Sequence, residues 1–146
     1  MKETQRLLNL RMFRRKKQNN LALPSGPIEF PNGIAVVVGN QTYFIKNHKC
    51  YSFVSLRARD SWNLKTFPTS VEALANYPLA NTYIGFRDGT LLRSVESLDS
   101  LWIISDNRRR RIVSPDILTA LNLSVNDAIL VGNNELLIHT QGEDIG

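Results

Sequence analysis

The sequence predicts a mainly β (α+β) protein: two related small β-meander units, each with a short helix, preceded by a basic N-terminal helix. Three observations carry that expectation. One pattern is written twice, since "FPNGIAVVV" at 30–38 and "FRDGTLLRS" at 86–94 both place Phe three residues before Gly, with an apolar run after it. Short runs rich in β-branched and aromatic residues alternate with Gly, Asn and Asp turn signals throughout the body. Charge separates the leader from the rest: residues 1–20 hold seven Lys or Arg and one acid, whereas residues 21–146 hold eleven bases and twelve acids. The expected organisation is an arm at 1–20, a linker at 21–29, a first unit at 30–85 and a second at 86–146.

The elements follow in chain order. Residues 2–18, "KETQRLLNLRMFRRKKQ", contain good helix formers and no Gly or Pro. Glu3 near the start and Arg14 to Lys17 near the end suit the helix dipole. Leu7, Leu8, Leu10, Met12 and Phe13 scatter over more than half the helix circumference, so this segment is expected to dock on a partner. "NNLALPSGP" then reads as loop. In the first unit, "IAVVV", "TYFIK" and "KCYSFV" read as strands, separated by turns at "GNQ" and "NH". In the second, "TLLRS", "SLWIIS" and "RRRRIV" repeat the order, with a longer loop around "VESLD" and a turn at "DN".

Residue matching extends the correspondence. Phe30 and Gly33 align with Phe86 and Gly89, and after a three-residue insertion Tyr43-Phe44-Ile45 fall on Trp102-Ile103-Ile104. The same register pairs Val54-Ser55 with Val113-Ser114 and Asn63 with Asn122; a further insertion brings Leu74 onto Leu136. Ser114-Pro115-Asp116 signals a helix start and predicts a helix through "DILTAL" to Asn122. Ser55 is expected to cap "LRARDSW" in the same place, ending at Asn63. A strand at "AILVG" follows in the second unit. Neither unit alone buries much surface, so the two are expected to pack together.

The stretch from Asp88-Gly89-Thr90-Leu91 through Trp102-Ile103-Ile104, Arg108 to Ile112, and Val131, Glu135, Leu136 and Gly142 resembles a repeat of bacterial surface and cell-wall-associated proteins and of phage virion proteins. "TYFIKNHKCYSF" and "SVEALANYP" carry a looser version in the first unit. The hairpin-turn Gly usual in that repeat is Asn107 in one unit and His48 in the other. The resemblance covers everything after the linker and implies a non-catalytic attachment or assembly module. No apolar h-region follows the basic N-terminus, so a secretory signal is not expected, which favours a virion component made in the host cytoplasm over an exported envelope protein; a cytoplasmic location is the alternative.

The expected site is a set of contacts and no reaction centre. A lone Cys50 and two distant histidines, His48 and His139, close no zinc site, and no phosphate cradle, nucleophile elbow or EF-hand loop is written in the chain. No catalytic residue, cofactor, metal or membrane span is expected. Partner binding falls on Arg6, Leu7, Leu8, Leu10, Arg11, Met12, Phe13, Arg14, Arg15, Lys16 and Lys17. The apolar residues among these bases favour docking on protein over a pure polyanion contact. Arg108, Arg109, Arg110 and Arg111 are a second candidate, for a polyanion or an acidic partner. Alternation along a strand divides them between two faces, and an edge strand whose arginines meet the acidic C-terminal part is the plainer alternative. Trp62, Tyr43, Tyr51, Tyr77, Tyr83 and Trp102 are expected chiefly in the core. The expected partners are other virion proteins, with homo-oligomer or ring formation and contact with packaged nucleic acid as accompanying arrangements. Nucleic-acid binding through the arm and Arg108 to Arg111, or attachment to a cell envelope, are the alternative functions.

Overall fold

A computed structural model describes residues 22–146; the candidate arm residues Arg6 to Lys17 lie outside the described residues. The chain is mainly β, with two sheets and a few short helices. In the first sheet β1 (Ala35–Val38), β2 (Gln41–Lys46) and β3 (Lys49–Ser52) form an antiparallel meander, and β4 (Thr66–Pro68) joins β1 in parallel. In the second, β5 (Leu91–Ser94), β6 (Leu101–Ser105) and β7 (Arg108–Ile112) form the meander, and β8 (Ile129–Val131) joins β5 in parallel. A last strand, β9 (Thr140–Gln141), runs parallel to β7. Beside β3 the chain does the same through parallel bridges Cys50–Leu79 and Phe53–Ile84. Both sheets therefore use one connection pattern.

Turn chemistry sets the pattern locally. Asn47 and His48 have φ of 52° and 59°, and Asp106 and Asn107 have 54° and 62°. Two successive left-handed residues make the type I′ hairpin turn that matches strand twist. Asn tolerates that conformation and His does so less readily; the His48 ring stacks on Tyr77 at 6.0 Å and 12°. Gly33 N–H donates to the Ile45 carbonyl at 2.7 Å, and Gly89 N–H to that of Ile104 at 2.6 Å. Both glycines have φ near +90°, where a side chain is strained.

The helices also start and stop at matched places. Ser55 caps α1 (Leu56–Ser61) by accepting from Ala58 N–H, and Ser114 caps α2 (Pro115–Ala120) by accepting from Asp116 N–H. Left-handed Asn63 and Asn122, at 49° and 59°, follow them. A third helix, α3 (Asn133–Leu137), starts after Gly132.

Each unit is tied from its beginning to its tail by a buried ring. Phe30 N–H donates to the Tyr77 hydroxyl at 2.7 Å, and Phe86 N–H donates to Nε2 of His139 at 2.9 Å. The register that pairs Leu74 with Leu136 also pairs Tyr77 with His139. Around the rings the neighbours correspond too: Cys50 Sγ–H donates to the Tyr77 carbonyl at 3.2 Å, and an Arg109 guanidinium N–H donates to the His139 carbonyl. Cys50 is thus buried, and burial pushes its pKa up.

The units share a core. Ala58 of α1 packs with Phe86, Leu92, Ile104, Val131 and Leu136 of the second unit. On the opposite face of the same sheet, Leu91 and Ile103 pack against Leu118 of α2. The second sheet is therefore covered on one face by the helix of the first unit and on the other by its own. Glu135 seals the seam: it accepts from Ser55 Oγ–H at 2.6 Å, from Arg57 at 2.6 and 3.1 Å, and from Gly132 N–H at 3.0 Å. Burial raises its carboxyl, but the Arg57, Ser55 and Gly132 bonds and the Arg57 charge hold it below the usual value.

A shared core predicts one unfolding event. Phe86→Ala is expected to cost about 3–5 kcal/mol. In urea, the emission changes of Trp62 in the first unit and Trp102 in the second, each followed in a variant lacking the other tryptophan, are expected to coincide; two separated transitions would contradict this packing.

Candidate functional site

The four arginines of β7 are divided by strand alternation, as the sequence predicts, but the strand is no edge. β7 lies between β6 and β9, because Thr140 and Gln141 pair with Arg108 and Arg109. Too short to show a hydrophobic period, β9 left no signal of this pairing. The plainer edge-strand reading is corrected accordingly.

On one face Arg109 is spent on structure. Its guanidinium lies 5.3 Å from the Trp102 ring centroid and donates to the His139 carbonyl. Arg111 is exposed, opposite Trp102 in the ladder. On the other face Arg108 and Arg110 share a shallow groove of about 370 Å³ with Ser105, Asp106, Gly142 and Glu143. Gly142 lets the stems lie close, since a Cβ there would stand 3.1 Å from Cγ of Arg110. Arg110 Nε–H donates to the Glu143 backbone carbonyl at 2.9 Å, so the acidic C-terminal segment is met here through its main chain. Two arginines and two acidic residues stand around this groove, and their formal charges cancel.

A larger open groove of about 490 Å³ lies over one face of the first sheet, lined by Ala35, Thr42, Phe53 and Leu64 and flanked by Arg59 and Asp60. Its origin lies in the matched positions. Leu91, Leu101 and Leu118 help fill the corresponding space in the second unit, whereas Ala35, Thr42 and Arg59 stand there in the first. Arg59 turns to pair with Asp60 at 3.0 Å, which leaves the space beneath open.

Among the aromatics, Tyr77 is buried and Tyr43 and Trp102 pack against buried clusters, as expected for core residues. Trp62 and Tyr83 instead border a cleft where the units meet. His48 sits in its hairpin turn. His139 is fully buried as a structural ring: its Nε2 accepts from Phe86, so Nδ1 carries the proton and donates to the Asn107 carbonyl at 2.9 Å. Gly85 makes room for it, since a Cβ there would lie 2.3 Å from Nε2. Among the described residues no three His, Cys, Asp or Glu side chains gather to hold a metal ion, and no described helix is long and apolar enough to cross a membrane. Comparison of the chain with protein-family models, curated proteins and solved structures gives no match.

The His139 ring sets a pH dependence. Burial lowers its pKa, opposed by the bond to Asn107 and the Asp88 carboxylate and reinforced by the Arg109 charge. The folded state therefore holds its proton less tightly than the unfolded chain. Stability is full above the unperturbed value of 6.5 and falls as pH drops from there toward the lower folded value. Equilibrium unfolding between pH 7 and 5 is expected to show this decline, and His139→Gln, which can still accept from Phe86 without titrating, is expected to flatten it. An unchanged slope in that variant would place the titration elsewhere.

Proposed function

We propose that the protein is a non-catalytic structural component of a phage virion, a neck, tail, baseplate or capsid-associated protein, made in the host cytoplasm and anchored through its basic N-terminal arm. In this reading the two units descend from one ancestral unit, of the kind that the repeat of surface and virion proteins resembles. The observation that carries the reading is the use of one strand order, one pair of left-handed turns and one ring latch in both halves, beside a leader that holds the excess positive charge. Duplicated scaffolds of this sort present surface, and here that surface is nearly balanced in charge.

The partners are other virion proteins, with the arm docking Leu7, Leu8, Leu10, Met12 and Phe13 on a neighbouring subunit and Arg108 and Arg110 meeting an acidic group. The charge cancellation in the Arg108–Arg110 groove supports a protein contact over a nucleic-acid backbone, which calls for net positive surface.

Incorporation of tagged variants into purified particles tests this. Removal of residues 1–20 is expected to abolish incorporation, and the double variant Arg108→Glu, Arg110→Glu to reduce it severalfold. Normal incorporation of the truncated chain would refute the anchor. Tight binding to duplex DNA that weakens steeply with salt would favour the nucleic-acid alternative instead.

A further inference from the structure

The cleft at the meeting of the two units has an aromatic wall that the scaffold does not require. Phe44 from β2, Trp62 at the end of α1 and Tyr83 in the connecting segment border an open space of about 400 Å³, with Lys46, Asn47 and, from the second unit, Asn107 along its rim. The Trp62 indole is held in place, donating from Nε1 to the Gly85 carbonyl at 2.8 Å and lying 5.4 Å from Phe44, tilted by 40°. Tyr83 is 58% exposed.

The matched positions of the second unit show what folding alone needs. Ile103 stands for Phe44, Leu121 for Trp62 and Ser105 for Lys46. Ile84 and Ile145 make the same bridge, to Phe53 and to Ile112, after a one-residue shift in the tail, so Asp144 stands for Tyr83. Aliphatic and acidic residues satisfy the same backbone there, so the aromatic faces and the cation are particular to this cleft. Rigid aromatic faces beside carboxamides and one ammonium suit a small saturated ring: C–H groups for the faces, hydroxyl or acetamido groups for the amides, and an anionic substituent for Lys46.

We propose that this cleft is a binding site for an anionic glycan. A pyranose ring lies against Tyr83 and Trp62, its polar edge meets Asn47 and Asn107, and its carboxylate pairs with Lys46. A nucleobase would also stack, but a polynucleotide brings a phosphate with every base, and Lys46 is the one cation lining the cleft among the described residues. The inference rests on the cleft alone and stands or falls apart from the assembly reading.

The test titrates the full chain, followed by tryptophan emission and by the indole N–H resonance of Trp62, with three probes: a hyaluronate tetrasaccharide, neutral chitotetraose and an eight-residue oligothymidylate. Saturable binding strongest for hyaluronate is expected. Tyr83→Ala, at an exposed position where melting should be unchanged, is expected to weaken it by about tenfold, as loss of one stacking face does. Lys46→Gln is expected to remove the preference for the charged sugar over chitotetraose. No saturable sugar binding, tighter binding of the oligonucleotide, or sugar binding indifferent to both substitutions would each overturn the proposal.

Discussion

A backbone N–H removed from water must find an acceptor, and in both halves of this chain the N–H that opens the unit finds a ring supplied by that unit's tail. Phe86 meets His139 and Phe30 meets Tyr77. The bond closes a long loop of chain onto itself and fixes where the tail runs. From it follow the parallel run of the tail beside the third meander strand, the Arg109 and Cys50 contacts to the ring residues' carbonyls, and the shape of the Arg108–Arg110 groove. The two rings differ in one consequence: His139 holds its neighbour only while its ring is neutral.

The units are alike in connection and unequal in filling. The first unit lends its helix to the second, with Ala58 in the shared core and Ser55 and Arg57 on Glu135. Ser55 carries two tasks, accepting from Ala58 N–H as a helix cap and donating to a carboxylate across the seam. The second sheet gains a cover on both faces. The first sheet carries the smaller Ala35 and Thr42 where the second has leucines, and the open groove over them is the result. On the same face Phe44, opposite Ala35 in the ladder, sets its ring toward the seam beside Trp62 and Tyr83.

What the sequence made legible was local. Turn residues Asn47-His48 and Asp106-Asn107, caps Ser55 and Ser114, and the stops at Asn63 and Asn122 each carry their own chemical signal, and the register between halves follows from them. What stayed hidden depends on contacts between distant segments. Ala58 is small and gives no hint of a destination in the other unit. Tyr77 and His139 occupy one position with different functional groups, so their shared task shows only once both backbone donors are placed. Thr140 and Gln141 carry no strand pattern, and the arginine strand therefore read as an edge. The aromatic cleft draws on residues 44, 62, 83 and 107, which no spacing rule gathers.

The ring latch can be observed directly. Nitrogen-15 NMR of His139 at neutral pH reports which ring nitrogen carries the proton and whether Nε2 accepts a bond from Phe86. The structure requires a neutral ring with hydrogen on Nδ1, an acceptor-type Nε2 resonance and a scalar coupling from the Phe86 amide across the bond. A proton on Nε2, or a charged ring at that pH, would show that the tail is held some other way.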